Sequence, residues 1–213
     1  MIVRIGFLVF SGYNERAVIA FLRVLKRYDI DVFIVANGPN DRILRTAYAS
    51  DVCFVRPQGA LDVANMSQAL DAALVSAAGH RLLLAPSTEG LNRFFLANPE
   101  LLANRGIMLP LVDQALYQQI SDKFSFGELC RSAGIGVPEN IADPARCALP
   151  FVAKPLVYEL ASPLAPRLIL TESDRLALLS SPELPKYYFQ QFVEGRSIYL
   201  LLHFSGRGEV CAF

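Results

Sequence analysis

Residues 2–10 (IVRIGFLVF) are apolar at almost every position, and this run constrains the fold more than any other feature of the chain. A strand with one wet face alternates polar and apolar residues. A strand without a polar face must be covered on both sides, as in the middle of a parallel sheet flanked by helices. The following segments keep to that scheme. After the turn Ser11-Gly12-Tyr13-Asn14, where Asn14 is placed to N-cap, Val18, Phe21, Leu22 and Leu25 recur at helical spacing with Arg16, Arg23, Lys26 and Arg27 outside. Residues 31–36 (DVFIVA) read as a second strand, ended by Asn37-Gly38-Pro39-Asn40. A short helix is expected over 41–49, a third strand over 52–55, and a helix over 65–78 burying Met66, Ala69, Leu70, Ala73 and Leu74. A fourth strand at 81–85 stops at Pro86-Ser87-Thr88-Glu89, a helix runs through Leu91, Phe94, Phe95 and Leu96, and residues 107–111 suit a fifth strand. Five strands alternating with helices predict a doubly wound, Rossmann-like α/β domain.

The pattern changes near residue 112. Residues 121–133 read as a capped helix stopped by Gly134, and Pro138 prevents its resumption. Short strand-like runs follow at 151–154, 167–170, 187–193 and 197–204, interrupted by one helix at 172–179. Gly206-Arg207-Gly208 suits a hairpin turn before 209–213. Strands in close succession pair antiparallel, so this half is expected to be α+β. The last run, Glu209-Val210-Cys211-Ala212-Phe213, is apolar with no turn or polar tail behind it, which reads as a truncated chain.

Composition narrows the function. Twenty basic residues balance twenty acidic ones, which disfavours a nucleic-acid partner. With 53% hydrophobic residues the chain can build a substantial core, yet no stretch approaches the roughly eighteen apolar residues of a membrane span, and the N-terminus lacks a signal-peptide pattern. No membrane partner and a cytoplasmic location are expected. Cys53, Cys130, Cys147 and Cys211 are far apart without ligand spacing, and Cys53 and Cys211 fall in apolar runs that suit buried thiols. His80 follows Gly79 at a helix end, where a cation suits the dipole, and His203 lies in a strand pattern; neither has an acid or nucleophile beside it. Dinucleotide binding would need G-x-G-x-x-G after the first strand, but the chain offers only Gly6 and Gly12 there.

Three segments carry chemistry. Lys123 follows Asp122 at the start of a helix that closes with Gly134-Ile135-Gly136-Val137-Pro138. Lys154 ends the strand Pro150-Phe151-Val152-Ala153-Lys154-Pro155, and Tyr188-Phe189-Gln190-Gln191-Phe192-Val193-Glu194-Gly195 runs from a strand into a turn. Taken singly, each has a plain reading: a solvated helix lysine, a lysine snorkelling from a strand end, an ordinary strand. In this order, behind a Rossmann-like domain, they resemble the ATP-grasp ligases, and the style of Ser197-Ile198-Tyr199 resembles their carbamoyl-phosphate-synthase-like branch.

The resemblance implies a pre-ATP-grasp domain over 1–112, a first ATP-grasp lobe over 113–189 and an incomplete second lobe from 190 to 213. Lys123 and Lys154 would face the α- and β-phosphates of ATP, with Lys154 also near the base. The Gln191 carbonyl and Val193 amide would read the adenine edge, Gln190 would bond the base or its neighbours, and Ser197 would take the ribose position. Ser197 departs from the glutamate common there, and residues 156–166, where relatives carry a Gly-rich phosphate loop, hold no glycine. The Mg²⁺ ligands are expected beyond residue 213, so no metal ligand and no catalytic residue is assigned, and the chain alone is expected to be inactive. The implied activity is acyl-phosphate formation from a small-molecule carboxylate followed by joining to an amine or thiol, and a homodimer is compatible with it. Strand ends of the first domain nominate Ser11, Glu89 and Asn92 for substrate, although a carboxylate at position 89 equally suits the helix dipole. The alternative is a non-catalytic nucleotide- or small-molecule-binding module.

Overall fold

The computed structural model describes residues 4–12, 14–156, 164–196, 198–199, 202–204 and 207–212. The chain forms two compact units, Met1–Gln118 and Gln119–Phe213.

The first unit contains β1 (Arg4–Phe10), α1 (Glu15–Arg27), β2 (Asp31–Ala36), β3 (Val52–Val55), α2 (Val63–Ser76), β4 (His80–Ala85), α3 (Glu89–Ala97) and α4 (Glu100–Ala103). Its sheet is parallel throughout, in the order β3-β2-β1-β4. The unbroken apolar run of β1 is used on both faces. Leu8 and Phe10 enter one core with Met66, Leu70, Leu84, Leu91 and Phe95, while Val9 enters another with Val18, Leu22, Leu25 and Ile34. Helices α2 and α3 cover the first face and α1 the second.

The structure corrects two expectations in this unit. The fifth strand reduces to a single parallel bridge between Leu83 and Met108, in which the Met108 amide donates to the Leu82 carbonyl at 3.0 Å and the Leu84 amide to the Met108 carbonyl at 2.8 Å. Pro110 has no N–H with which to continue the ladder. The helix expected at 41–49 is two 3₁₀ turns, Arg42–Arg45 and Ala49–Asp51. Between them Thr46 Oγ1 donates to the Ile43 carbonyl at 2.8 Å and accepts from the Tyr48 amide at 3.1 Å, which diverts backbone partners from an α-helix. Asn14 sits at the N-cap position of α1 but makes no side-chain cap bond.

Helix α5 (Gln114–Ser121), for which the sequence pattern makes no provision, carries the chain onward. The second unit then has α6 (Lys123–Ser132), β5 (Asn140–Ile141), β6 (Phe151–Pro155), β7 (Arg167–Ile169), α7 (Glu172–Leu179), β8 (Tyr187–Gln191), β9 (Leu202–Phe204) and β10 (Val210–Ala212). The cap of α6 is Asp122: its carboxylate accepts from the Phe124 and Ser125 amides at 3.1 and 2.9 Å. Strands β5-β8-β6-β7 form an antiparallel sheet and β9 pairs antiparallel with β10. Phe151, Ala153, Ile169, Leu178 and Tyr187 make the core between that sheet and α7. Helix α7 begins with a reciprocal cap between Thr171 and Asp174. Arg175 is buried beside it and donates to the Ala145 and Cys147 carbonyls at 2.9 and 2.7 Å. A parallel sheet followed by an antiparallel one is the change of architecture the strand spacing predicts.

Candidate functional site

Strand β6 alternates. Phe151 and Ala153 point into the α7 core, so Val152 and Lys154 occupy the opposite face. Neighbouring β8 places Gln190 across from Val152 and Tyr188 across from Lys154. The sheet therefore has one oily face and one that presents Lys154, Tyr188 and Gln190 side by side. Lys154 Nζ donates to Gln190 Oε1 at 2.7 Å. Gln190 is 4% exposed, and its Nε2 donates to Asn140 Oδ1 at 3.0 Å and to the Pro138 carbonyl at 3.3 Å.

The first turn of α6 meets this polar face. Phe124 packs edge-on against Tyr188, with ring centroids 5.3 Å apart. Lys123 sits beside Phe124 in that turn. Burial pushes the Tyr188 phenol up to about 12, with the Asp122 carboxylate adding to the shift and Arg131 opposing it. Lys154 is held below the ordinary lysine range, first by burial and second by the Lys123 cation. Among the described residues no carboxylate forms an ion pair with either lysine. Two cations facing one space with no ion-paired carboxylate among the described residues form an arrangement that an anion relieves.

At the end of β8 the Gln191 amide donates to the Glu139 carbonyl at 2.9 Å, and Val193 is well exposed. Strand β8 ends at Gln191, not at 193. Ser197, and residues 157–163 of the glycine-free segment, lie outside the described residues.

The nominated substrate residues fall in the first unit and do not form one group. Ser11 is buried and closes the end of β1: its Oγ donates to Asp41 Oδ2 at 2.5 Å, and its amide donates to the Val35 carbonyl at 3.0 Å. Asp41 also accepts from the Asn37 and Ile43 amides at 2.8 and 3.0 Å. Gly12 follows at φ +122°, so close to the Asn37 side chain that any Cβ there would overlap it. Asn37 cannot yield, because its Oδ1 accepts from the buried Arg56 guanidinium at 3.0 Å. Glu89 and Asn92 meet elsewhere, around Tyr117 of α5. The phenol donates to Glu89 Oε2 at 2.8 Å and accepts from Asn92 Nδ2 at 2.7 Å, while Arg93 Nε donates to Glu89 Oε1 at 2.8 Å. Tyr117 is itself pushed up, chiefly by burial. A cavity of about 290 Å³ opens where β1 and β4 end, lined by Asn14, Val18, Phe21, Ala85 and Ser87 among others. Helices α1 and α3 leave these adjacent strands towards opposite faces, the point at which open α/β sheets form crevices.

The remaining sequence candidates resolve simply. Burial raises the Cys53 thiol to about 11. Cys211 is exposed, against the expectation of a core thiol; among the described residues β10 pairs with β9 alone. His80 spans the C-terminal end of α2 and Asp31: Nδ1 lies 3.2 Å from the Ala77 carbonyl and Nε2 lies 2.9 Å from Asp31 Oδ2. Among the described residues no three His, Cys, Asp or Glu side chains converge as a metal site, and no helix is long and apolar enough to cross a membrane. Neither Asn140 nor Tyr117 stands out in the sequence as a site residue. Asn140 lies in a two-residue strand, too short for a periodic pattern, and Tyr117 in an eight-residue helix.

No family model matches the chain, and no curated protein matches it. Solved structures do. Biotin carboxylase from Campylobacter jejuni, in an ATP complex, superposes with a TM-score of 0.65 over 99% of this chain and 50% of its own, at 16% identity. N5-carboxyaminoimidazole synthase from Aspergillus clavatus, bound to ADP and 5-aminoimidazole ribonucleotide, gives 0.62 over 100% and 53%, at 13% identity. The biotin carboxylase domain of Hydrogenobacter thermophilus 2-oxoglutarate carboxylase gives 0.55 over 90% and 45%, at 13% identity. The chain spans about half the length of these proteins, and it shares with them the ATP-grasp type of fold.

Proposed function

We propose that this chain is part of an ATP-dependent ligase of the ATP-grasp type, and that its second unit contributes the nucleotide site. The observation that carries the reading is the polar face of β6 and β8. There Lys154, fixed by Gln190, and Lys123 of α6 present two cations to one space without an ion-paired partner among the described residues. A polyphosphate supplies the missing negative charge, and two lysines from different elements suit it as mobile point charges. The segment from Gln191 to Val193, leaving β8 beside them, would offer its backbone to the adenine edge. Ser197 would stand at the ribose. The solved structures of the same fold that hold ATP or ADP support a nucleotide in this place.

The reaction that goes with this reading is acyl-phosphate formation and transfer. A carboxylate oxygen attacks the γ-phosphorus and ADP leaves, giving an acyl phosphate. An amine or thiol then attacks the acyl carbon, phosphate leaves, and the nucleophile's proton passes to solvent. Lys123 and Lys154 contribute by holding the phosphate chain in line and offsetting its charge. Mg²⁺ is the usual companion of ATP, but no donor set among the described residues fits it, and none of these roles is routed through the metal. We assign residues 1–112 to a pre-ATP-grasp domain, 113–189 to the first ATP-grasp lobe and 190–213 to the beginning of the second. Ser11, Glu89 and Asn92 remain the substrate candidates. Glu89 is the strongest of them for an amine, since its carboxylate is pre-oriented by Tyr117 and Arg93.

Calorimetry with ATP and with adenosine on the wild type and on Lys123→Ala/Lys154→Ala tests the reading. Loss of ATP binding by about 100-fold or more, with adenosine binding retained, is expected from two charge-assisted contacts. Equal ATP affinity in both proteins would reduce the two lysines to surface residues.

A further inference from the structure

Gln190 and Asn140 have amide orientations that their partners dictate. An ammonium only donates, so the Gln190 atom 2.7 Å from Lys154 Nζ must be its oxygen. A carbonyl only accepts, so the atom 3.3 Å from the Pro138 oxygen must be the Gln190 nitrogen. That nitrogen also donates to Asn140 Oδ1 at 3.0 Å, which turns Asn140 Nδ2 outward to the Glu128 carboxylate at 3.4 Å. Glu128 is in turn paired with Arg131, whose Nη2 donates to the same Pro138 carbonyl at 3.3 Å. The four side chains form one polarised line, ammonium to amide to amide to carboxylate, with every hydrogen bond pointing the same way. Such chains strengthen each link.

Resting on the nucleotide reading above, we propose that Asn140 is a positioning residue: the Glu128–Asn140–Gln190 line acts as a remote counter-ion that aims the Lys154 ammonium and keeps it charged without neutralising it. A carboxylate in direct contact would compete with phosphate for the same cation. Two intervening amides deliver the carboxylate's polarisation and leave the ammonium's other two protons for a ligand. The groups facing Lys154 are Lys123 from α6, Tyr188 across the strand pair and Gln190. Asp122 and Arg131 act on Tyr188. Lys123 opposes the charged form, so the line through Asn140 is the contact that favours it. The line also ties β6 and β8 to α6, the helix that carries Lys123, and so sets both cations from one network.

The test uses the 213-residue chain. Lysine side-chain NMR follows the titration of Lys154, and calorimetry follows ATP and adenosine in parallel. In Asn140→Leu, which has no acceptor, the Lys154 midpoint should move to lower pH. ATP should bind about 3- to 10-fold more weakly, with adenosine unchanged. Asn140→Asp keeps an acceptor and adds charge, so its midpoint should move to higher pH and ATP affinity should return to within about 2-fold of wild type. A Lys154 midpoint that stays put in both variants overturns the relay, as does a parallel loss of ATP and adenosine binding in Asn140→Leu. If the wild type binds no ATP, the nucleotide reading falls instead, and the titration still decides whether the relay exists.

Discussion

The two sheets of this protein use their faces differently. In the parallel sheet both faces are buried: β1 sends Leu8 and Phe10 one way and Val9 the other, and helices close over each. In the antiparallel sheet one face packs on α7, while the other gathers Lys154, Tyr188 and Gln190. A sheet covered twice gains apolar burial but has no face left for chemistry, and its reactive positions move to the strand ends. A sheet with one apolar and one polar face is less stabilised, but it can hold charged groups at a fixed spacing under a helix end.

The largest effect should come from the doubly covered sheet. Phe95 is 0% exposed and stacks edge-on with Phe10 at 5.5 Å, so Phe95→Ala should cost about 3–5 kcal/mol in urea unfolding. Loss of ATP affinity in the folded fraction of that variant would break the division of labour between the sheets. Next comes the polar face. Lys154→Met should weaken ATP binding by about 10- to 100-fold, the equivalent of about 1.5–3 kcal/mol, with adenosine little affected. Its thermal midpoint should stay level or rise, because it removes a partly buried cation beside Lys123.

A smaller effect returns to the parallel sheet. The Cys53 thiol ionises near 11 in the folded protein and near 9.0 when exposed. The unfolded chain therefore loses its proton first, so stability is intact below about pH 9 and falls by on the order of 1–2 kcal/mol as pH rises towards 11. Cys53→Ala should flatten that part of a pH–stability curve. The smallest effect is on the surface, where Asp71 pairs with Arg105 at 2.6 Å. The Arg105 hydrogen bond holds the Asp71 carboxyl below 3.8, so the contribution is present above the unfolded carboxylate range and disappears as pH falls through the lower, folded value. Exposure and salt limit it to a few tenths of a kcal/mol, to be read as the difference between Asp71→Asn and wild type at neutral pH in low and high salt.

Most of the fold was legible because burial on both faces leaves a strong pattern. Residues 31–36 and 52–55 coincide with β2 and β3, and 172–179 with α7. What failed was decided by single hydrogen bonds rather than by periodicity. Thr46 broke a helix, and Pro110 ended a strand after one bridge. The lysines were visible as motifs, and the alternation of β6 places Lys154 off the core face. The partners were not. Gln190 reaches Asn140 across fifty residues of sequence and Lys154 across thirty-six, contacts that only the register of β5, β8 and β6 creates. Tyr117 likewise stands twenty-eight residues from Glu89.

The collision between Gly12 and Asn37 has a genetic consequence. In a saturation screen position 12 should be an empty column, since every other residue must adopt φ +122° and also displace a side chain pinned by Arg56. Gly134, which follows α6 at φ +72° with open space where a Cβ would stand among the described residues, should tolerate asparagine. The two glycines look alike in sequence, yet only one belongs to an epistatic pair. Shortening its neighbour by Asn37→Gly removes the overlap but not the strain at φ +122°, so it should relieve Gly12→Ala only in part.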